Sequence, residues 1–241
     1  MNRQLFISDL HLAPERPAII DLFVRFCDEI ASQYKTLYIL GDFVEYWLGD
    51  DDPAEGLQPA FDALKKLADS GCSIFFMHGN RDFLIGDALA QRCGFRLIPD
   101  PALIYMDGKP VLLMHGDTLC TDDLDYMQFR NTVRDENFQK SFLAKPLSER
   151  QQIAQSLRES SKEATSQKNP EIMDVNQQAV ESAFTQNKVQ LLIHGHTHRP
   201  AIHEVEIQGL PCKRVVLGDW YDSGSYLVLD GTNSLELQDY R

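Results

Sequence analysis

The stretch Leu5-Phe6-Ile7-Ser8-Asp9-Leu10-His11, near the N-terminus, indicates how this chain is built. A short apolar run bounded by polar residues predicts a buried β-strand, here over residues 5–9. The same arrangement recurs along the chain, where each apolar run ends in small or polar residues. The other predicted strands cover residues 36–40, 73–77, 111–114, 189–193 and 214–217.

Helical spacing fills the gaps between the first predicted strands. Residues 18–34 place their apolar side chains on one helical face, and residues 53–70 do the same. Strands that alternate with helices predict an α/β sandwich. The C-terminal region instead predicts a strand meander joined by glycine-containing turns, with strands at 203–207 and 225–229. We therefore expect mixed sheets.

Residues 126–170 differ from the rest of the chain, because they lack β-branched runs and are rich in Gln, Ser, Lys and Arg. They hold eight Lys and Arg against five Asp and Glu, a net charge of +3, which leaves −16 for the remainder. We predict a helical insertion here, between the core segments 1–125 and 171–241. Ser148 and Gln151 fit a capping box at the start of one helix, and another helix is predicted from Glu171. Composition alone is equally typical of a solvated helical face.

Length and composition exclude several classes of protein. The 241 residues, 43% of them hydrophobic, suffice for one large α/β core and exclude a disordered or fibrous chain. A net charge of −13 disfavours binding to nucleic acid. The five scattered cysteines indicate a reducing compartment. We expect no signal peptide, no obligate protein partner and, since no apolar run is long enough to span a bilayer, only peripheral membrane contact.

Six of the seven histidines, with several Asp and one Asn, come directly after predicted strands. Five of these histidines and the Asp and Asn residues lie in the segments Asp9-Leu10-His11, Gly41-Asp42, Gly79-Asn80-Arg81-Asp82, His115-Gly116-Asp117 and His194-Gly195-His196-Thr197-His198, and His78 directly precedes the third segment. Strand ends are where α/β sheets generally place their ligands, and the adjacent glycines permit sharp turns. Side chains two apart on an extended segment point the same way, so Asp9 with His11, and His196 with His198, are each expected to offer a pair to one centre.

Carboxylate, imidazole and amide oxygen together suit divalent metals of intermediate hardness. The absence of thiolate from this set favours Mn2+, although zinc or iron would fit it too. One histidine alone is more often structural than a ligand, and we interpret His78, His194 and His203 as structural or supporting residues and Cys120 as buried. All five segments together are hard to explain without a metal centre.

These segments resemble the signature of the calcineurin-like metallophosphoesterase superfamily, which is Asp-x-His, Gly-Asp, Gly-Asn, His and Gly-His-x-His in this order. The resemblance covers nearly the whole chain apart from the insertion. It implies an α-β-β-α sandwich of mixed sheets with a helical lid insertion. It also implies one metal ion held by Asp9, His11, Asp42 and His198, and another held by Asp42, Asn80, His115 and His196. Asp42 would bridge the two ions, which would activate a water.

Arg81 departs from the superfamily pattern, in which a histidine commonly follows Gly-Asn. A guanidinium cannot be deprotonated in a protein, so Arg81 cannot act as a general acid, but it can donate two hydrogen bonds to phosphate oxygens. Such a site suits a leaving group that departs without a proton, and a phosphate monoester with a second pKa of about 6 is one. Arg81 therefore favours a phosphoanhydride substrate over an alkyl phosphomonoester.

Further motifs lie at 9–12, 40–42, 47–53, 78–84, 114–123, 161–164, 172–177 and 194–200. With them, the chain resembles the UDP-2,3-diacylglucosamine diphosphatase family of lipid A biosynthesis. The resemblance implies a lipid-linked nucleotide sugar as substrate, cleaved to UMP and 2,3-diacylglucosamine 1-phosphate (lipid X). It further implies Mn2+ as cofactor, attack of water on the α-phosphorus, and a location at the cytoplasmic face of the bacterial inner membrane.

The same resemblance implies which residues contact the substrate. Those expected at its phosphate and glucosamine are Asn80, Arg81, Asp123, Ser161, Thr165, Lys168 and His196. Catalytic roles are expected for Asn80, Arg81, His115 and His196. Residues expected to line an acyl pocket under the lid are Phe83, Tyr126, Phe129, Phe142, Leu157, Ile172 and Met173. Position 165 is often Asn in related sequences, and ordinary packing between lid and core would explain the apolar residues equally well.

Other interpretations stay open at this point. Another metallophosphoesterase would act on a soluble nucleotide, a phosphoprotein or a nucleic-acid end, which the acidic balance, Arg81 and the amphipathic insertion disfavour. A scaffold that had lost its chemistry would lack metal ligands, and none is missing here. The positive charges Arg158, Lys162 and Lys168 could meet a phosphate or an anionic bilayer surface. Trp47 and residues 50–52 either mark the family or form a solvated loop.

Overall fold

The computed structural model describes residues 3–167, 172, 174–230 and 234–241, and within 158–167 only the backbone. This part of the chain contains eleven strands and seven α-helices. The strands are β1 (Gln4–Ile7), β2 (Thr36–Leu40), β3 (Ser73–Met77), β4 (Phe95–Ile98), β5 (Ala102–Met106), β6 (Lys109–Leu113), β7 (Leu191–His194), β8 (Ala201–Ile207), β9 (Leu210–Val216), β10 (Gly224–Leu229) and β11 (Leu235–Tyr240). The helices are α1 (Pro17–Glu29), α2 (Gln58–Asp69), α3 (Asp87–Cys93), α4 (Leu124–Val133), α5 (Glu136–Leu143), α6 (Leu147–Gln167) and α7 (Gln177–Asn187).

The apolar run at Leu5 forms β1, inside a six-stranded sheet with the order β11-β10-β1-β2-β3-β4. The strands β1 to β4 are parallel, whereas β10 and β11 join antiparallel at one side. All four residues of β1 are buried. A strand covered on both faces needs an unbroken apolar sequence, which is why this run does not alternate with polar residues.

The second sheet has five strands in the order β5-β6-β7-β9-β8. Here β6, β7 and β9 are parallel, and β5 and β8 are antiparallel edge strands. Both sheets therefore combine parallel and antiparallel pairs, and the prediction of mixed sheets is confirmed.

The two sheets pack face to face, with helices on the outer faces. Phe6 and Leu40 of the first sheet meet Leu113 and Ile193 of the second in a buried layer between them. On the outside, α1, α2 and α3 bury their apolar residues against the first sheet. Phe184 and the rest of the apolar stripe of α7 cover the second sheet. This is the α-β-β-α sandwich that the resemblance implies.

The arrangement brings the polar segments together. Each of the five segments follows a strand that pairs in parallel, namely β1, β2, β3, β6 or β7. Backbone hydrogen bonds join their loops beyond the strands, from the Asp9 amide to the Gly41 carbonyl at 3.0 Å and from the Gly195 amide to the His115 carbonyl at 2.8 Å. Chain segments distant in sequence thus converge at one edge of the sandwich, where open α/β sheets bind ligands.

Helices α4, α5 and α6 lie between β6 and β7, in the region of the predicted insertion, and are called here the α4–α6 segment. Asp123 and Asp135 cap the first two of these helices by accepting hydrogen bonds from their first-turn amides. Arg150 of α6 is buried and pairs with Asp51 and the Leu48 carbonyl. These contacts attach α6 to the loop that follows β2, so residues 48–51 are not simply solvated.

Several boundaries differ from the sequence predictions. The second helix begins at Gln58 instead of residue 53, because the preceding residues form a turn in which Asp52 accepts the Ala54 amide. Helix α6 begins at Leu147, with the Pro146 carbonyl accepting the Arg150 amide, so Ser148 lies within the first turn and the predicted capping box is wrong. The helix predicted from residue 171 begins at Gln177, and α3, β4 and β5 were not predicted.

The predicted C-terminal strands are present within β8 and β10, but they do not form one meander. The hairpin of β8 and β9 belongs to the second sheet, whereas the hairpin of β10 and β11 belongs to the first. The physical reason is that β9 finds a parallel partner in β7 and β10 an antiparallel partner in β1. Among the described residues, no helix has both the length and the hydropathy needed to cross a bilayer.

Candidate metal centre and substrate cavity

The side chains of the five segments converge into two groups that could each hold a metal ion. The Asp9 group consists of Asp9, His11 and His198, and the Asp42 group consists of Asp42, His115 and His196. Within each group the ligand atoms lie within 4.8 Å of one another. Both carboxylates are almost completely buried. The sequence expectation that Asp9 and His11 serve one centre agrees with this arrangement.

Asp42 lies between the two groups. Its Oδ2 is 3.7 Å from His11 Nε2, and its Oδ1 is 3.8 Å from His115 Nε2. Each carboxylate oxygen thus faces a histidine of a different group. This is the position that a bridging ligand requires.

Asn80 adds an amide oxygen to the Asp42 group. Its Oδ1 is 2.9 Å from both His115 Nε2 and His196 Nδ1. The oxygen and the two ring nitrogens therefore surround the same point. Seven side chains in total contribute to the two groups: Asp9, His11, Asp42, Asn80, His115, His196 and His198.

The backbone at these residues is unusual. Positive φ angles in the left-handed region occur at Asp9 (55°), His11 (48°), Asp42 (51°), His196 (68°) and His198 (54°). Non-glycine residues adopt this region only when the surrounding structure requires it, and such residues concentrate at functional sites. His196 and His198 belong to different groups, so the expectation from an extended segment that they serve one centre is wrong, whereas Asp9 and His11, with similar φ angles, share one group.

Glycines allow the ligand loops to approach one another. A Cβ atom at Gly79 would lie 2.1 Å from Asp42 Oδ1, and one at Gly195 would lie 2.2 Å from Asp9 Oδ2. Any side chain at either position would displace a carboxylate of the centre. The glycines before Asn80 and His196 are thus required by close packing against the carboxylates of other loops.

Outer contacts orient the histidine rings. Glu45 Oε2 lies 3.0 Å from His11 Nδ1, and the Leu40 carbonyl accepts a hydrogen bond from His115 Nδ1 at 2.9 Å. With Nδ1 protonated in this way, the lone pair of each Nε2 faces the centre. Ligating histidines in metal sites show the same pattern.

Electrostatics also favour a cation. Burial alone would lower the pKa of His115, but Asp42, Asp117 and Asp9 outweigh burial and raise that pKa to about 9. Burial and the neighbouring His115 lower the pKa of His196 to about 4. The carboxylates at and around the Asp42 group therefore attract positive charge, while the His196 imidazole stays neutral and able to donate a lone pair.

The residues fit a pair of divalent ions on one further observation. Asp9 Oδ1 is buried and accepts no hydrogen bond from the described residues, although His198 Nε2 is only 3.4 Å away. Its other oxygen accepts the His196 amide at 2.9 Å. A buried carboxylate oxygen is normally satisfied, so an oxygen left unpaired beside two histidines fits a bound cation.

A cavity of about 330 Å³ opens beside the Asp42 group. Asn80 lines it together with Arg81, Asp123 and other charged residues, and most of the remaining lining is apolar. Its apolar walls include Trp47, Phe83, Leu84, Phe129, Phe138, Phe142 and Leu157. The Nε atom of Arg81 is buried and has no hydrogen-bond partner among the described residues. An anion next to an apolar group would match this division of the cavity.

Comparison with known proteins identifies the family. The calcineurin-like phosphoesterase profile matches residues 3–200 of the chain. The chain belongs to the calcineurin-like phosphoesterase family. It shares 50% identity over 233 residues with a protein of Stenotrophomonas maltophilia (strain K279a) named UDP-2,3-diacylglucosamine hydrolase, and the match covers 94% of each. A protein of the same name from Aromatoleum aromaticum is 49% identical over 227 residues, or 94% of this chain and 93% of that protein. Among solved structures, a "Novel Archaeal Phosphodiesterase" aligns at a TM-score of 0.49 and 14% identity, over 98% of this chain and 99% of that one.

The phosphoesterase cavity contains some of the substrate residues expected from the sequence. Asn80, Arg81 and Asp123 line it, and Tyr126 places its ring 5.9 Å from His196. Of the expected acyl residues, those in the cavity wall are Phe83, Tyr126, Phe129, Phe142 and Leu157. Ile172 is exposed and does not line the cavity. Lys168 and Met173 lie outside the described residues, and so do the side chains of Arg158, Ser161, Lys162 and Thr165.

Residues interpreted as structural have structural contacts. His78 Nε2 bonds to the Ile85 carbonyl at 2.7 Å, and Cys120 is buried. His194 is fully buried against its own loop, and burial lowers its pKa to about 3. None of the three belongs to either metal group.

Sequence reasoning missed several supporting residues of the phosphoesterase site. Glu45 contacts His11, and Asp82 accepts the Phe43 and Gly79 amides at 2.8 and 2.7 Å. Arg130 and Arg134 line the cavity from α4. The only sequence signal for Asp82 is its place beside Asn80 and Arg81, and the only one for the two arginines is their helical spacing of four residues.

Proposed function

We propose that this phosphoesterase hydrolyses the diphosphate of UDP-2,3-diacylglucosamine to UMP and 2,3-diacylglucosamine 1-phosphate, a step of lipid A biosynthesis. The observation that carries the proposal is the junction of two candidate metal groups with an apolar cavity whose polar end presents Arg81. A diphosphate joined to a lipid has the same division between charge and hydrocarbon. The names of relatives about 50% identical over 94% of the chain support this substrate.

The proposed metal ligands are the seven side chains of the centre. Asp9, His11, Asp42 and His198 would hold one ion, and Asp42, Asn80, His115 and His196 the other, with Asp42 shared. When bound, two divalent ions would supply charge neutralisation of the phosphoryl oxygens and a hydroxide near neutral pH. The mixture of oxygen and nitrogen ligands without thiolate supports Mn2+ as the metal.

Arg81 and Asn80 orient the diphosphate in this proposal. Arg81 bonds the oxygens of the lipid phosphate and stabilises the charge that develops on them as the bond to the α-phosphorus breaks. His196, held neutral by burial, donates a hydrogen bond from its ring N–H to a phosphoryl oxygen without carrying charge. The lipid phosphate leaves as a dianion near neutral pH and therefore needs no proton from the protein.

The apolar part of the cavity would receive hydrocarbon. We propose that the α4–α6 segment, within the insertion 126–170, is a lid over the acyl chains. Phe129, Phe142 and Leu157 supply apolar walls from three successive helices of this segment. Asp123, at the polar end of the cavity, is the proposed contact of the glucosamine, and Ser161, Thr165 and Lys168 are proposed to join it.

We further propose peripheral contact with the cytoplasmic face of the bacterial inner membrane. The α4–α6 segment exposes the large apolar side chains Leu124, Phe129, Leu143 and Leu157, of which Phe129 and Leu157 line the cavity. A substrate with two acyl chains resides in the bilayer, and exposed apolar residues around a lipid cavity favour its transfer from there.

Isotope transfer tests the reaction. The purified protein with Mn2+ and UDP-2,3-diacylglucosamine is incubated in oxygen-18 water, and phosphorus NMR locates the label. We expect the label in UMP, because water attacks the α-phosphorus and the bridging oxygen leaves with the lipid phosphate. Label in the lipid phosphate would reverse the direction of attack. His11→Ala serves as the inactive reference. Turnover no higher than in this variant, with both metals bound to the parent protein, would refute the assignment of the substrate.

A further inference from the structure

Helix α4 presents three side chains to the core at intervals of four residues. Tyr126, Arg130 and Arg134 lie one turn apart on the same side of the helix, the last at its C-terminal cap. All three line the cavity with their exposed parts, and all three are partly buried. Their polar ends reach past the cavity to the loops that carry metal ligands.

The first two side chains meet at Asp117. The Tyr126 hydroxyl and Arg130 Nε each donate a hydrogen bond of 2.6 Å to Asp117 Oδ2. Asp117 is fully buried and comes two residues after His115 on the same loop. A buried carboxylate needs such partners, so the position of this loop depends on α4.

The third side chain reaches a different loop. Arg134 donates a hydrogen bond of 2.8 Å to the Gly79 carbonyl, and its guanidinium lies 5.1 Å from the Phe83 ring centroid. Gly79 immediately precedes Asn80, and a Cβ atom at Gly79 would lie 2.1 Å from Asp42 Oδ1. Arg134 therefore fixes the peptide from which the Asn80 side chain projects.

These contacts serve only one of the two metal groups. His115 and Asn80 both belong to the Asp42 group with its amide ligand, and the Tyr126 ring lies beside His196 of the same group. The outer contacts of the Asp9 group come from other elements of the described chain. They include Glu45 at His11, Asp219 and Tyr221 at His198, and the Ser8 hydroxyl at Asp9.

We propose that α4 is a positioning helix for the Asp42 group, with Tyr126 and Arg130 acting through Asp117 and Arg134 acting through the Gly79 carbonyl. The helix that walls the substrate cavity thereby also sets the affinity of one metal ion. The inference rests on the proposed metal centre but not on the identity of the substrate. Outer contacts of this kind are typically worth about 10- to 100-fold in metal affinity.

The test is a calorimetric titration of the full-length, metal-free protein with Mn2+ in the absence of substrate. The Asn80→Ala variant identifies which binding step belongs to the Asp42 group. We expect Arg134→Gln to weaken that step about tenfold and to leave the other step within about twofold. Tyr126→Phe, which keeps the ring but removes the hydroxyl, is expected to weaken the same step about tenfold. Arg134→Lys, which keeps a donor for the carbonyl, is expected to recover part of the affinity.

Arg92→Gln is the matched control. Arg92 also lies over an aromatic ring, with its guanidinium 5.3 Å from the Phe61 centroid, and within the described part of the chain this ring belongs to α2 and not to a ligand loop. We expect it to leave both Mn2+ affinities unchanged. Melting temperatures of all variants, measured without metal, show whether the fold is retained.

Two outcomes would overturn the inference. Unchanged Mn2+ affinities in Arg134→Gln and Tyr126→Phe would show that α4 positions nothing. Equal weakening of both steps, together with a lowered melting temperature, would show a general structural role. Failure of the parent protein to bind Mn2+ in two steps would refute the proposed metal centre itself, whereas turnover of a different substrate would leave the positioning role intact.

Discussion

The ligand loops of the sandwich and the α4–α6 segment enclose the same cavity but are built differently. The carboxylates of the loops are at most 2% exposed, their backbones are left-handed, and glycines pack against them. The α4–α6 segment instead leaves Leu124 75% exposed and Phe129 41% exposed. Rigid, buried positions suit fixed reaction geometry, whereas an exposed apolar surface suits a variable hydrocarbon. We therefore propose that the ligand loops determine the chemistry and that the α4–α6 segment determines which substrate is bound.

The largest effect is expected from removing a metal-ligating side chain from the ligand loops. We expect His11→Ala and Asp42→Ala each to lower turnover about a thousandfold or more, because the centre loses its charge balance and one ion. Circular dichroism is expected to show an unchanged fold. Retention of activity within a few-fold of the parent protein would contradict the two-metal assignment.

Removing the metal is expected to abolish turnover and to lower the stability of the fold. Dialysis against a chelator should abolish turnover, and Mn2+ should restore it. Metal at about 100 times its dissociation constant is expected to stabilise the fold by about 2.7 kcal/mol, which a thermal melt would detect. A melting temperature that is the same with and without Mn2+ would mean that the ligand loops bind no ion.

Arg81 follows the candidate metal ligand Asn80 and lines the cavity, so it lies between the ligand loops and the α4–α6 segment. Its replacement tests how the charged and apolar regions contribute to the reaction. We expect Arg81→Ala to lower kcat/KM about 100-fold, mainly through kcat, because the guanidinium stabilises charge that develops during the reaction. Arg81→Lys keeps the positive charge but not the bidentate hydrogen bonding, and it should recover part of the lost kcat/KM. Steady-state kinetics matching those of the parent protein would end the argument for a phosphoanhydride from this residue.

Substitutions in the apolar wall of the cavity are expected to change substrate binding and not the chemical step. Leu157→Ala removes hydrocarbon from the cavity wall and should raise KM about fivefold, corresponding to about 1 kcal/mol, with little change in kcat. Leu143→Ala is the matched control, since Leu143 has a similar exposure in the same segment but does not line the cavity. Equal effects of the two substitutions would argue against an acyl site at this wall.

The smallest expected effect concerns the attachment of α6. The Arg150 guanidinium lowers the pKa of Asp51 in the folded protein. A folded-state pKa below the unfolded value means that the pair stabilises the fold above about pH 3.9 and that this stabilisation is lost as the pH falls further. Because Asp51 is mostly exposed, we expect Asp51→Asn to cost about 1 kcal/mol at pH 7. Melts that differ equally at pH 7 and pH 3 would show that the ion pair is not responsible.

The sequence alone predicted the layers, the central strands and the segments that supply metal ligands. An unbroken apolar run bounded by polar residues is a local signal, and β2 and β3 have the predicted bounds for that reason. Local signals could not assign β10 and β11 to the first sheet, since strand pairing depends on partners distant in the chain. They also misplaced the start of α2, where a turn held by Asp52 competes with the helix.

The candidate site divides in the same way. The kinds of side chain at the site could be predicted from the sequence, because Asp, His and Asn beside glycine at strand ends are visible in the residues themselves. Only the tertiary structure decided that His196 and His198 face different groups, that Asp42 lies between them, and that Arg134 reaches the Gly79 carbonyl. These facts depend on left-handed turns and on contacts between residues far apart in sequence, and neither is encoded in the periodicity of a single segment.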